Sequence, residues 1–149
     1  MTVSRVVLFA VAATGAWASD TAQSADWDIA VCMNPGGYAI PFYLARATVS
    51  QILKQAGIRI EWHGDARACT ASGVSIAVYE QTPSDTAAGE LARAQPYGGG
   101  HVALFYDRVV NSAGPVGVSV LLGHVLAHEI VHMLQDVATH SVRSLMKQK

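Results

Sequence analysis

The longest regular hydrophobic pattern lies near the carboxyl end of the chain. Apolar residues recur there at intervals of three and four with no proline among them, which is the period of a helix with one apolar face. A shorter pattern of the same period begins near Pro41 and stops at Gly57. The sequence therefore predicts two amphipathic helices. Their apolar positions are Ala45, Val49, Ile52, Leu53 and Ala56 in the first, and Val118, Leu121, Leu122, Val125, Leu126, Ile130, Met133 and Leu134 in the second.

Short apolar runs elsewhere predict strands. Residues 29–32, 58–62, 74–79 and 101–106 are rich in β-branched and aromatic residues and are separated by glycine, proline or polar segments. Residues 91–95 form a weaker run, and the Pro96 that follows suits the edge of a sheet. A helix between the first two strands predicts that they are parallel. The expected fold is α+β (α/β-like), with one mixed, twisted sheet of about five strands and two helices.

The first 18 residues have the features of a secretory signal peptide. Arg5 precedes an apolar run over residues 6–13, and Ala16-Trp17-Ala18 is a cleavage site of the small-x-small type. The apolar run is too short to span a bilayer. We expect cleavage after Ala18, a secreted or periplasmic product with no membrane span, and one domain over residues 19–149.

Export changes the interpretation of the two cysteines, Cys32 and Cys69. In an oxidising compartment an even number of cysteines predicts a disulfide. The alternative is two buried thiols that never meet, because a sequence does not supply the required geometry.

The charge of the chain narrows the range of partners. A formal net charge of -1 gives no electrostatic reason to expect binding to nucleic acid or anionic lipid. We therefore expect no nucleic-acid partner, and the sequence does not indicate an oligomeric state.

The second predicted helix carries the motif His128-Glu129-Ile130-Val131-His132. Two histidines four residues apart lie on one face of a helix, with their Cβ atoms about 6 Å apart. Both imidazoles can therefore bind one tetrahedral Zn²⁺. A glutamate beside the first histidine can take a proton from zinc-activated water, which is the general-base role in zinc peptidases. The alternative is a buried helix whose histidines are merely hydrogen-bonded.

A catalytic zinc needs a third protein ligand, and Asp136 and His140 are the downstream candidates. Asp136 is eight residues from His128, about 12 Å along a continuous helix, and could ligate only if the helix broke first. His140 is favoured, because a turn through residues 137–139 beyond the helix end would return it over the metal. His124 cannot share the ion with both other histidines, and we expect it to support a ligand or to pack in the core.

From Tyr97 to Met146 the chain resembles a group of small secreted bacterial proteins that are similar to metzincin zinc peptidases. Metzincins follow the helix motif with a third histidine and then a buried methionine beneath the metal, and here His140 and Met146 occupy those places. The resemblance implies a metzincin-like amino-terminal subdomain with a very short carboxy-terminal segment. It also implies that residues 91–97 form an antiparallel edge strand that pairs with bound peptide; a plain protected edge is the alternative.

The expected function is that of a secreted zinc-dependent metallopeptidase, which hydrolyses a peptide or protein substrate with Glu129 as general base. This chain has Asp136 and Ser144 where the resembled proteins have glycine. Those differences motivate an alternative, an exported non-catalytic zinc-binding or protein-binding module that retains the peptidase fold. A zinc hydrolase of a non-peptide amide is a third possibility. Ordinary surface roles are expected for His63 and His101, and a solvated strand end for Asp107 and Arg108.

Overall fold

The computed structural model describes residues 27–69 and 73–146, and from residue 137 onwards only the helical backbone. The elements follow the order β1 (Trp27–Met33), α1 (Ala39–Lys54), β2 (Ile58–His63), β3 (Val74–Tyr79), β4 (Ala92–Gln95), β5 (His101–Phe105), α2 (Tyr106–Ser112) and α3 (Val118–Met146). Single 3-10 turns lie at Ala66–Ala68, Pro96–Gly98 and Gly114–Val116. The predicted signal peptide lies outside the described residues.

The five strands form one mixed sheet in the order β2-β1-β3-β5-β4. Strand β1 pairs in parallel with β2 and β3, and β3 pairs in parallel with β5. Strand β4 runs antiparallel along β5. The expected α+β fold with a five-stranded mixed sheet is confirmed, as are the parallel pairing of the first two strands and the edge position of β4.

The hydrophobic core joins α1 and α3 to alternate residues of the strands. Phe42 and Val49 of α1 are completely buried, and so are Leu122 and Ile130 of α3. The two helical patterns are thus confirmed, except that α1 ends at Lys54 and leaves Ala56 exposed. The strand residues in the same cluster are Ile29, Val31, Met33, Val74, Ile76, Ala92, Val102 and Leu104.

Helix α2 was not expected, and the expectation of two helices is wrong. Strand β5 ends at Phe105, and Tyr106 begins the helix rather than ending the strand. With 7 residues the helix is too short for a helical period to show, and its two valines have strand propensity. Tyr106 is buried against the rings of Tyr38 and Phe42, at centroid distances of 4.2 and 5.6 Å, which fixes α2 to the core.

A disulfide joins Cys32 of β1 to Cys69, with 5.8 Å between the two Cα atoms. The predicted bridge is therefore confirmed. It ties the segment after β2 to the middle of the sheet. Gly73 packs closely against the disulfide: a Cβ atom at this position would come 2.9 Å from the Cys69 sulfur.

The stretch Val118–Asp136 of α3 is long and apolar enough to cross a membrane, by length and composition alone. Core helices of globular domains share both properties, and 33% of this stretch is buried inside the structure. Its Leu122, Leu126 and Ile130 are buried in the core cluster.

Candidate metal site and cleft

Helix α3 presents one face to the core and another to a cleft. His124, His128 and His132 recur every four residues and are exposed, whereas Leu126 and Ile130 on the opposite side are completely buried. The motif histidines are therefore exposed, whereas the alternative placed them in a buried helix. A core position for His124, which the sequence left open, is wrong.

The imidazole rings of the two motif histidines are in direct contact. The Nε2 atoms of His128 and His132 are 2.9 Å apart, and their rings meet edge-to-face at a centroid distance of 4.4 Å. Two Zn–N bonds of about 2.05 Å at a tetrahedral angle would place the nitrogens about 3.3 Å apart. The observed separation corresponds to an N–Zn–N angle of about 90°, so a small opening of the pair, about 0.4 Å, would accommodate the metal. The pair therefore fits a shared metal ion.

Without metal the same contact is a hydrogen bond between imidazoles. One ring then carries its proton on Nε2 and donates it, while the other ring carries its proton on Nδ1 and accepts. Among the described side chains, no group of three or more histidine, cysteine, aspartate or glutamate residues is arranged to hold a metal. The described part of the site thus offers two candidate ligands, His128 and His132.

The third predicted ligand, His140, and Met146 have no described side chains. The expected turn over residues 137–139 is absent, because α3 is helical as far as Met146. No glycine or proline follows Gly123 in the chain, so the sequence contains no strong helix stop there. On a continuous helix, His140 is about 12 Å along the axis from His132. Ligation by His140 stays a prediction and requires the helix to end earlier when metal is bound.

The cleft between α3 and β4 has two lobes of about 410 Å³ each. Glu129, Glu90 and Ala92 line both lobes. The polar lobe is completed by Arg93, Ala94, Pro96, His132, Gln135 and Asp136. The apolar lobe is completed by Leu91, His124, Val125 and His128. The general-base candidate Glu129 therefore lies at the junction of the lobes, with one motif histidine in each.

Strand β4 forms the rim of the cleft opposite α3. The Phe105 amide donates a hydrogen bond to the Leu91 carbonyl, which makes Leu91 and Phe105 a hydrogen-bonded pair of the antiparallel ladder. Such pairs alternate, so Arg93 and Gln95 also direct their backbone groups towards β5, and Ala92 and Ala94 direct theirs outwards. No described strand pairs with the outer edge of β4, so the two N–H and two C=O groups of Ala92 and Ala94 are directed away from the sheet there, although Ala92 itself is buried.

The residues that hold this rim were not identified from the sequence. Arg93 makes a bidentate ion pair with Glu90, with two N···O distances of 2.7 Å. That hydrogen-bonded pair holds the pKa of Glu90 below its usual value. Asp107 and Arg108, expected at a solvated strand end, instead bind the loop that precedes β4. The sequence shows that the two residues are charged. It does not show which residues they bind, because the loop that they contact is more than fifteen residues away in the chain.

The other two histidines have no part in the cleft. His63 is partly exposed at the end of β2, 3.9 Å from Glu61, and His101 is exposed at the start of β5. Both positions agree with the surface roles expected for them.

Comparisons of the chain with protein-family models, with curated proteins and with solved structures found no match. We therefore assign the chain to no family and infer its function from the geometry of the site.

Proposed function

We propose that the protein is an exported zinc-dependent metallopeptidase that hydrolyses peptide bonds. The observation that carries the proposal is the convergence of the His128 and His132 Nε2 atoms at 2.9 Å, on a helix that lines a cleft. Glu129 lies at the junction of the two lobes. A pair of candidate metal-binding histidines with an adjacent carboxylate, in an open cleft, supports metal-assisted hydrolysis.

His128 and His132 would supply two zinc ligands through Nε2. The third would come from His140, if α3 ends before it, or from Asp136, which lines the polar lobe with His132. Bound zinc would supply Lewis-acid polarisation of the scissile carbonyl and of the attacking water. Met146 is proposed as the apolar floor of the site, by its resemblance to the metzincin methionine.

Glu129 has the role of proton carrier. Its carboxylate takes a proton from water as the water oxygen bonds to the carbonyl carbon, and then gives that proton to the amine nitrogen as the C–N bond breaks. The carboxylate is regenerated after each cycle. A position at the junction of the lobes suits this role, because the amine leaves towards one lobe and the acid towards the other.

The free edge of β4 provides a way to orient an extended peptide. Backbone N–H and C=O groups of Ala92 and Ala94 point outwards, and a peptide strand can pair with them by β-augmentation. Both side chains are small, which leaves the cleft open for the residues of the substrate. An edge strand above the metal helix is the arrangement that a metzincin-like subdomain would have, and we propose it for this fold.

Export is part of the proposal. The disulfide between Cys32 and Cys69 is stable in an oxidising compartment and agrees with secretion or a periplasmic location. Cleavage after Ala18 predicts that the mature protein begins at Ser19. Mass spectrometry of the exported protein would contradict this if Met1 were still present.

The experiment that tests the function combines metal analysis with a digest. Purified mature protein is analysed for zinc per chain and is incubated with a peptide library, with Glu129→Gln as the matched control. We expect one zinc per chain in both proteins, and cleavage by the unsubstituted protein alone. Cleavage of the library at equal rates by both proteins would contradict the role of Glu129.

The alternative is a non-catalytic zinc-binding or protein-binding module, and one observation favours it. The described side chains supply two convergent ligands and no group of three, whereas a catalytic zinc normally has three protein ligands. One zinc per chain with no cleavage above the Glu129→Gln control would support the module.

A further inference from the structure

The loop over residues 80–91 carries part of the cleft rim. It connects β3 to β4 and contains no helix or strand. Its last two residues, Glu90 and Leu91, line the cleft opposite α3. Strand β4 itself has only 4 residues, so its ladder with β5 is short. The distance between the rim and the motif histidines therefore depends on the contacts that hold this loop.

Arg108 holds the end of the loop. Its Nη1 donates hydrogen bonds to the carbonyl of Glu90, at 3.0 Å, and to the carbonyl of Ala87. Its Nη2 donates to the carbonyl of Thr86 at 3.3 Å. The single guanidinium of Arg108 thus donates hydrogen bonds to three loop carbonyls. Hydrogen bonds with a charged donor are stronger than neutral ones. Arg108 also lies over the ring of Phe105, 5.9 Å from its centroid.

Asp107 holds the beginning of the loop. Its Oδ1 accepts a hydrogen bond from the Thr82 hydroxyl at 2.6 Å, and its Oδ2 accepts one from the Thr82 amide at 3.2 Å. Both residues of this clamp are in the first turn of α2. That turn is fixed to the core, because Tyr106 and Val109 on either side are buried. The clamp therefore ties the loop to the same core that carries α3.

We propose that Asp107 and Arg108 are positioning residues, which hold the rim formed by Glu90, Leu91 and Ala92 at the height over α3 that peptide binding requires. The inference rests on the proposed function of the cleft. Neither residue lines a lobe, so both act through the loop. Loss of the clamp should then weaken peptide binding and leave zinc affinity unchanged, because the metal histidines and Glu129 share one helix.

The test uses zinc-loaded full-length mature protein in the Glu129→Gln background, which prevents cleavage. The probe is fluorescein-labelled casein, a disordered protein with many extended sequences, and its affinity is measured by fluorescence anisotropy. Arg108→Gln removes the charge and most of the donors, whereas Arg108→Lys retains the charge. Arg59→Gln is the matched control, because Arg59 is an exposed arginine in an ion pair with Asp28 at the opposite edge of the sheet.

Arg108→Gln should weaken casein binding on the order of tenfold, equivalent to about 1.4 kcal/mol. Arg108→Lys should recover part of the loss, and Arg59→Gln should bind as the background protein does. Zinc affinity should be equal in all four proteins. Amide hydrogen exchange over residues 80–95 should accelerate in Arg108→Gln and stay constant in β1 and α1, which are outside the loop.

Two results would overturn the inference. One is unchanged exchange over residues 80–95 in Arg108→Gln, and the other is accelerated exchange with unchanged casein affinity. A fall in melting temperature together with the first result would indicate a purely structural role for Arg108. Failure of the proposed function is distinct, because the background protein with Arg108 intact would then bind no casein.

Discussion

Gly123 lies at a close contact between α3 and α1, and its substitution tests the packing that places α3. A Cβ atom at this position would lie 2.7 Å from the Thr48 Cβ, 2.8 Å from its Cγ2 and 3.3 Å from the Ala45 carbonyl oxygen. The nearest of these atoms is fixed to the backbone of α1. Side-chain rotation therefore cannot relieve the contact, and Gly123→Ala must move the two helices apart by nearly 1 Å.

Two opposing effects set the magnitude. Overpacking of a core contact costs about 1–3 kcal/mol, and the close contacts here favour the upper part of that range. Alanine is about 1 kcal/mol more favourable than glycine inside a helix. The net expectation is a loss of about 1–2 kcal/mol of unfolding free energy, or a fall of about 5 °C in melting temperature for a domain of this size.

Urea and thermal unfolding of the disulfide-intact protein would measure this loss. Gly64→Ala is the control, because a Cβ atom there meets nothing within 4 Å and its φ is not positive. That variant should be neutral or slightly more stable. Gly123→Ala with stability equal to or above that of the unsubstituted protein would refute the close packing of α1 against α3.

Three further predictions follow from particular residues. Replacing Cys32 and Cys69 with serine should lower the unfolding free energy by up to about 4 kcal/mol, and the unreduced, denatured native protein should show no free thiol to a labelling reagent. The hydrogen bonds from the Thr82 side chain and amide hold the pKa of Asp107 below its usual value, so its stabilisation is present above about pH 4 and is lost as pH falls further; the stability difference from Asp107→Asn should shrink as pH falls below about 4. His140→Ala should weaken zinc binding steeply in a chelator competition and Asp136→Ala only slightly; the reverse would make Asp136 the third ligand.

Much of the fold was predictable because its elements have strong local patterns. The apolar periods of α1 and α3 and the β-branched runs of β1, β2, β3 and β5 each reflect burial on one side. The edge position of β4 was predictable from its short run before Pro96. Helix α2 was not, because its packing depends on Tyr106 meeting Tyr38 and Phe42 from distant parts of the chain.

The candidate site was predictable where it lies on one helix. His128, Glu129 and His132 lie on one stretch of helix by their spacing alone, and the Nε2 atoms of the two histidines are 2.9 Å apart. The opposite wall could not be predicted in the same way. Glu90 lies at the end of the loop that Asp107 and Arg108 bind, and its partner Arg93 follows in β4; such long-range contacts leave no periodic signal.

The measurement that tests the account most directly is the zinc affinity of single histidine variants at about pH 7.5. His124 is the matched control, because it lies on the same face of α3 at the same spacing. His128→Ala and His132→Ala should each weaken zinc binding on the order of a thousandfold. That loss exceeds the roughly 10–100-fold cost of removing an outer partner, which is a residue that hydrogen-bonds to a ligand without touching the metal. His124→Ala should weaken zinc binding by no more than that outer-partner cost. Equal affinity in all three variants would contradict a metal site on α3.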